Sequence, residues 1–386
     1  MASVNTVVPS ELRISALRVA FVGGGSGGHL FPAVAIAQEL LSQNPDCGFL
    51  FLTSHRVVDR KVLEASGLPP AQIQVTPYVH LSSQGGWLGS VARLPALWSS
   101  LRQAQRSLRE FQPHVVVGLG AMASVPGVVA ADRMALPVVL LEQNCLPGRA
   151  TRVLARRARL TVFGLPVPSE RTQHWPSRVM TCGTPVRAEI RDLANGTSRD
   201  ETSRRQILVL GGSQGSHSVN QIAAAALCGG NHVPADWQIL HQTGEADATS
   251  IRDYYQRQGI PARVAAFLPD MSRQLADAGV VISRAGAVTL QELACAAVPT
   301  ILIPLSTAAD SHQLLNAKLL ERSGAAIVID ENDTAARTSC GKAMEALVWD
   351  PVLRCRMREN IRTFATPQAA AEITVLLREI GMGGKN

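Results

Sequence analysis

The sequence predicts an α/β protein of two doubly wound domains that face each other across a cleft. Three observations predict it. Short apolar runs alternate with helical patterns along the whole chain, which is the signature of βαβ units and parallel sheets. A glycine-rich loop follows an apolar run twice, as Gly24-Gly25-Ser26-Gly27-Gly28 and as Gly211-Gly212-Ser213-Gln214-Gly215, 187 positions apart. A length of 386 residues is enough for two domains of ordinary size.

In the first half, Leu17–Val22 reads as a buried strand that ends in glycines. A helix is expected from Pro32 to Leu41, because proline lacks an N–H and suits a first helical turn. Strand-like Gly48–Leu52, helical Val57–Ala65, strand-like Ile73–Val75 and a long helical stretch Trp87–Phe111 follow. Val115–Val117 with Val128–Arg133, and Val138–Leu141 with Gly148–Ala158, repeat the strand-then-helix rhythm. In the second half, Ile207–Leu210, Trp237–His241, Val264–Ala266, Val280–Ser283 and Thr300–Pro304 are strand candidates, with helices expected from His217 and from Ala287. Arg187–Arg205 is polar, contains Asn195-Gly196 and reads as a linker. In such sheets, ligands sit at the carboxyl ends of the strands, so the cleft is the expected site.

Composition narrows the function. The net charge of +7 is unevenly placed: residues 1–185 carry 17 basic and 9 acidic side chains, and residues 186–386 carry 20 and 21. The first half therefore suits an anionic partner, whether a membrane surface, a phosphorylated substrate or nucleic acid. Aromatics at 4% and the lack of interleaved Lys/aromatic motifs argue against nucleic acid. Seven scattered cysteines without a C-x-x-C fit a reducing compartment and neither a disulfide framework nor a zinc knuckle. No signal peptide is visible at Met1–Leu12. The long uncharged run Val115–Ala131 is broken by Gly118, Gly120 and Pro126 and is not a membrane span.

The glycine loops read as anion cradles, where backbone N–H groups and a helix N-terminus stabilise phosphate without metal. Gly23-x-Gly25-x-x-Gly28 also matches the dinucleotide fingerprint. A helix starting at Pro32 leaves that loop too wide, and Thr53-Ser54-His55-Arg56 offers no acid for a ribose, which argues against a dehydrogenase. No D-x-D pair occurs, so a leaving diphosphate would be stabilised by helix dipole and hydrogen bonds. Within Ser283–Glu292, Glu292 stands either as a ribose acceptor or as a favourable charge near a helix start. Asp310-Ser311-His312-Gln313 either reads sugar hydroxyls or caps a helix.

Six motifs then occur in a familiar order. They are Gly24-Gly25-Ser26-Gly27-Gly28-His29-x-Phe31-Pro32, Glu142-Gln143-Asn144, Pro185-Val186-Arg187, Gly211-Gly212-Ser213-Gln214-Gly215, Arg284-x-Gly286-Ala287-x-Thr289-x-x-Glu292 and Asp310-x-x-Gln313-x-x-Asn316-Ala317. From Leu17 to the C-terminal helix the chain resembles the MurG family, bacterial enzymes that add N-acetylglucosamine to lipid I to make lipid II. The resemblance implies a GT-B fold of two Rossmann-like domains. It divides the chain into a flexible start (1–16), an acceptor- and membrane-facing domain (17–185), a linker (186–205), a domain for UDP-N-acetylglucosamine (206–365) and a final helix (366–386) packing back toward the first domain. Ser213 would meet the donor diphosphate, Glu292 the ribose and the backbone around Leu268 the uracil. Ala287, Val288, Thr289, Leu290 and Gln291 complete the donor-binding run, and Gln313 would read the sugar. Ser26, Gly27, Gly28 and Asn144 would close on it from the other domain, and Arg187 would touch the nucleotide. Ser26 replaces the usual Thr, Gly120-Ala121-Met122 the usual Gly-Gly-Tyr, Thr184 an Asn, and His312-Gln313 a Gln-Gln pair.

The resemblance implies inverting transfer: the C4 hydroxyl of the acceptor attacks the anomeric carbon and UDP leaves, with no cofactor required. His29 is the only ionisable side chain in the first glycine loop, and is the candidate base. It alternatively bonds the loop or the acceptor's diphosphate. A UDP-sugar 2-epimerase of similar architecture, or a non-catalytic basic binder, are the other readings. A lipid-linked acceptor places the enzyme, peripherally, at the cytoplasmic face of the cell membrane. Trp87, Leu88, Val91, Leu94 and Trp98, with Arg93, Arg102, Arg106 and Arg109, are expected to meet an anionic bilayer, the exposed part being Gln84 to Trp98.

Overall fold

The structure is a computed structural model that describes residues 16–24, 27–54, 56–70, 73–78, 94–196, 204–212, 215–230, 233–306 and 312–383. Two all-parallel sheets organise it. The first comprises β1 (Arg18–Val22), β2 (Gly48–Ser54), β3 (Ile73–Tyr78), β4 (Val115–Gly118), β5 (Val138–Glu142), β6 (Leu160–Phe163) and β7 (Arg178–Thr181), in spatial order β3-β2-β1-β4-β5-β6-β7. The second comprises β8 (Gln206–Leu210), β9 (Gln238–Gln242), β10 (Ala262–Ala265), β11 (Ala278–Ser283), β12 (Thr300–Leu302) and β13 (Ile327–Val328), ordered β10-β9-β8-β11-β12-β13.

Central strands are apolar on both faces because helices cover both faces. Along β1, Val19 and Phe21 enter one core layer while Ala20 and Val22 enter the other. Along β8, Leu208 and Leu210 alternate in the same way with Ile207 and Val209. Phe21 stacks on Phe51 with ring centroids 5.1 Å apart, which pins β1 against β2.

Two features differ from expectation. The first helix runs Gly27–Gln43, so it starts inside the glycine loop, and Pro32 lies within it. The first four N–H groups of a helix have no internal partner; as sixth residue, Pro32 forfeits only the bond to the Gly28 carbonyl. Burial of Leu30, Ala33, Val34, Ile36, Ala37 and Leu40 outweighs that loss. The wide-loop argument against a dinucleotide site therefore fails. Within the stretch read as a linker, Ala188–Arg191 and Asp192–Asn195 are helical, and Ile190 is buried in the second domain's core.

This short helical element touches both domains. Arg191 Nη1 lies 3.2 Å from Glu39 Oε2 on the first helix, and Arg187 Cζ sits 5.1 Å from the Phe31 ring centroid. The last helix, Ala369–Met382, buries Ile373, Leu376 and Leu377 in the first domain's core, and Gln43 Nε2 donates to Thr374 Oγ1 at 3.3 Å. The chain thus crosses between domains twice.

Candidate active site

Strand order reverses between β1 and β4 and again between β8 and β11, and both glycine loops leave the sheets at those switch points. In the first loop Gly23 and Gly24 hold φ of +132° and +146°. A Cβ on Gly24 would lie 2.6 Å from Asp59 Oδ2, so only glycine lets the loop press onto that carboxylate. Asp59 in turn accepts from Ser54 N (3.2 Å) and Ser54 Oγ (2.6 Å). His29 stands on the first helical turn, close to the loop after β4: a Cβ on Gly120 would be 3.6 Å from His29 Cδ2. Burial lowers the pKa of His29 below its ordinary value, and the charges of Glu142 and Asp59 oppose that shift. Glu142 itself organises the loop after β5. Its Oε1 accepts from Asn144 N (3.2 Å) and Nδ2 (3.0 Å), and its Oε2 accepts from Gly148 N (2.9 Å) and Thr151 Oγ1 (2.7 Å).

The second loop is closed by Gly215 N donating to Gly212 O at 3.0 Å, with φ of +82° at Gly212 and +75° at Gly215. Helix His217–Cys228 follows, and the buried hydroxyl of Ser216 at its start has no hydrogen-bond partner among the described residues. Beneath it lies a buried polar chain. Asn220 Nδ2 donates to Thr243 O (2.9 Å), His241 Nε2 lies 3.1 Å from Asn220 Oδ1, and His241 Nδ1 lies 3.0 Å from the Tyr255 hydroxyl. Burial pushes the His241 pKa down to about 3, so this imidazole is a neutral structural group.

A second cluster binds three loops of this domain together. Arg284 Nη1 lies 2.7 Å from Glu331 Oε2, and Arg284 Nη2 donates to Ser218 Oγ at 2.7 Å. Ser306 N and Oγ both donate to Glu331 Oε1 at 2.8 Å. Burial alone would raise the Glu331 pKa, but the hydrogen bonds from Ser218, Ser306 and Arg284 hold it at about 2. Sequence reasoning missed Glu331, because Asp330-Glu331-Asn332-Asp333 reads as an ordinary polar turn.

Helix Ala287–Ala296 follows β11 and presents Glu292 to the cleft, where Arg187 Nη2 donates to Glu292 Oε1 at 3.0 Å. Burial raises the Glu292 pKa and the Arg187 charge opposes it. Leu268 is buried, while its neighbour Phe267 is 64% exposed. Gln313, on the first turn of helix His312–Arg322, accepts from Leu305 N at 3.0 Å. From the same helix Asn316 spans the cleft: its Nδ2 donates to Asn144 Oδ1 at 3.0 Å, and its Oδ1 accepts from Cys145 N at 3.2 Å.

The structure thus brings Arg187 to Glu292 and Asn144 to the Gln313 helix. The run Ala287–Gln291 divides. Thr289 is part-exposed, but Ala287, Val288, Leu290 and Gln291 are buried, so the side chains of Leu290 and Gln291 face the core and leave only backbone for a ligand. With its amide oriented to suit its neighbours, Gln291 donates to Phe364 O (3.3 Å) and accepts from Thr366 N (2.6 Å). Gly28 is exposed at the helix start, beside Gly27. Ser26 and Ser213 lie outside the described residues, as do Trp87 and Leu88.

The glycosyltransferase family 28 N-terminal domain matches residues 19–162, and the family 28 C-terminal domain matches residues 206–348. Among solved structures, MurG of Acinetobacter baumannii superposes with a TM-score of 0.72 at 24% identity, covering 94% of this chain and 99% of that one. A UDP-N-acetylglucosamine 2-epimerase superposes with a TM-score of 0.66 at 15% identity, covering 96% and 98%. Both likenesses are of fold: the GT-B arrangement of two Rossmann-like domains. The two matched domains, which together span most of the chain, define a glycosyltransferase. The chain belongs to glycosyltransferase family 28. It is 35% identical over 367 residues, 94% of this chain and 93% of the relative, to the UDP-N-acetylglucosamine--N-acetylmuramyl-(pentapeptide) pyrophosphoryl-undecaprenol N-acetylglucosamine transferase of Anaeromyxobacter sp. (strain Fw109-5).

Proposed function

We propose that the chain moves N-acetylglucosamine from UDP-N-acetylglucosamine to the C4 hydroxyl of the MurNAc of undecaprenyl-diphospho-MurNAc-pentapeptide, lipid I, with inversion, making lipid II for peptidoglycan. The observation that carries this reading is the end-to-end similarity to a transferase whose name states that donor and that acceptor. An epimerase shares the fold only, at 15% identity.

The donor lies against the second domain. Glu292 accepts the ribose hydroxyls and Arg187 turns from it to the nucleotide. The backbone at Leu268 meets the uracil. Ser213 and the start of helix His217–Cys228 stabilise the departing diphosphate, so the negative charge that develops is met by fixed dipoles and hydrogen bonds. Gln313 reads the sugar, and Ser26, Gly27, Gly28 and Asn144 close on it from the first domain. His29 removes the proton of the attacking hydroxyl. Its lowered pKa supports that role, because the neutral imidazole is the form that accepts a proton at pH 7. The domain division at 17–185, 186–205 and 206–365, with the final helix on the first domain, belongs to the same reading.

No described helix is long and apolar enough to cross a membrane. A lipid-linked acceptor stays in the bilayer, so the enzyme works peripherally at its cytoplasmic face. The first domain offers Trp98, 54% exposed, with the Arg133 guanidinium 5.9 Å from its ring centroid, on a helix (Leu94–Phe111) whose Arg102, Arg106 and Arg109 are exposed. The test is product analysis. Incubation with donor and a soluble lipid I analogue yields a disaccharide-containing product, and NMR reports a β linkage at the new anomeric centre. An α linkage, or no disaccharide, contradicts the reading.

A further inference from the structure

Beside the cleft, a groove of about 460 Å³ runs between the two domains. From the first domain, the segment after β6 contributes Pro166, Val167 and Arg171; from the second, helix His312–Arg322 contributes Leu315, Lys318 and Arg322. Three cations therefore face an otherwise apolar channel. None of the described ion pairs involves them, and Glu170 and Glu321, their neighbours in sequence, do not line it. Cys145 lines the groove too, one residue from Asn144, and its N–H is held by Asn316. The groove thus opens from the sugar end of the cleft and leads away from it along the helix that carries Gln313.

We propose that this groove is the subsite for the acceptor's peptide, with Arg171, Lys318 and Arg322 receiving its terminal carboxylate. The proposal rests on the activity proposed above, in which the acceptor carries a pentapeptide. Length fits the occupant. Nine steps of helix carry the chain from Gln313 to Arg322, about 14 Å at the usual rise. An extended pentapeptide reaches about 17 Å. Charge fits as well: a linear peptide joined through its amino end presents a carboxylate at the other, and Arg and Lys pair with it while aliphatic walls cover its backbone. None of the residues assigned to the donor above lines this groove.

Two acceptor analogues test this in detergent micelles, one with a free terminal carboxylate and one with a terminal carboxamide. The parent enzyme is expected to lose about tenfold in kcat/KM on the carboxamide. An Arg171→Ala, Lys318→Ala, Arg322→Ala triple variant is expected to treat both analogues alike, at the parent's carboxamide level, with its donor KM unmoved. All three positions are exposed, and the single charge reversal Lys318→Glu gives an independent variant with a loss in the same direction. A triple variant that still prefers the carboxylate overturns the proposal, as does a parent that does not discriminate. A loss seen only on vesicles containing anionic lipid, and equal for both analogues, overturns it in favour of a headgroup contact. If the parent glycosylates neither analogue, the activity reading falls and this proposal falls with it.

Discussion

Arg187 holds Glu292 at 3.0 Å although 105 positions separate them in the sequence. The pair joins the element that crosses between the domains to the helix Ala287–Ala296. Burial raises the pKa of this carboxylate, and the Arg187 guanidinium offsets part of that shift. In the donor site proposed above, a nucleotide that takes the carboxylate for its ribose would free the guanidinium to meet the rest of the nucleotide.

Removing the carboxylate should therefore act on donor binding. Glu292→Ala is expected to raise the donor KM by about 1.5–3 kcal/mol of lost interaction, with a smaller change in kcat, because a ribose contact is equal in ground and transition states. Steady-state kinetics at saturating acceptor measure this. An unchanged donor KM removes Glu292 from the site.

For His29, the expected effect lies in kcat and in its pH dependence. His29→Ala should lower kcat by about two to four orders of magnitude if the imidazole takes the hydroxyl proton. Burial places its pKa below the ordinary 6.5, so the active neutral form persists at pH 7 and is lost only as pH falls through that lowered value. The same shift makes protonation favour the unfolded chain, so stability declines as pH falls below 6.5 toward the lowered value. A variant that loses only acceptor affinity, with the acid limb of kcat intact, assigns His29 to phosphate contact instead.

Ala121 holds φ +55° and ψ 170°, a region natural to glycine, in the loop that carries Gly120 to His29. Such strain costs about 1–3 kcal/mol, against about 0.4–1 kcal/mol for the greater freedom glycine gains when unfolded. Ala121→Gly is thus expected to stabilise the protein by about 1 kcal/mol, the reverse of the usual effect of adding glycine. Urea unfolding decides it, and a lower midpoint at equal slope contradicts the strain.

The strands legible in the sequence share a physical cause. β1, β2, β4, β5, β8 and β11 are covered on both faces and read as unbroken apolar runs. β7 was missed because it is an edge strand, with Arg178 and Thr181 exposed. β6 hides behind Arg156, Arg157 and Arg159, and β13 is only two residues long. Proline 32 misled the helix start because local propensity was set against a face of buried Leu, Ile and Ala, and burial won. Motif order placed Glu292, Arg187 and Asn144 on one cleft. Their partners could not be read: Asn316 meets Asn144 from 172 positions away, and Glu331 is drawn into place by Arg284 and Ser306, so no local pattern marks either contact.

Membrane contact is expected through the stretch that begins before the helix Leu94–Phe111. In that helix Leu101, Ala104 and Leu108 are buried on the sheet, leaving Trp98 and the arginines outward. A Trp87→Ser, Leu88→Ser double variant should co-sediment less with anionic vesicles, at about 1 kcal/mol for each basic residue still near the surface, and keep its activity on a detergent-soluble acceptor. Vesicle binding equal to the parent's moves the contact elsewhere.

The most direct test of the central claim is UDP release from UDP-N-acetylglucosamine, measured with and without a lipid I analogue. Transfer to a lipid-linked acceptor predicts release that depends on the analogue and matches the disaccharide formed. Release that proceeds equally without any acceptor contradicts it and points to chemistry on the nucleotide sugar alone.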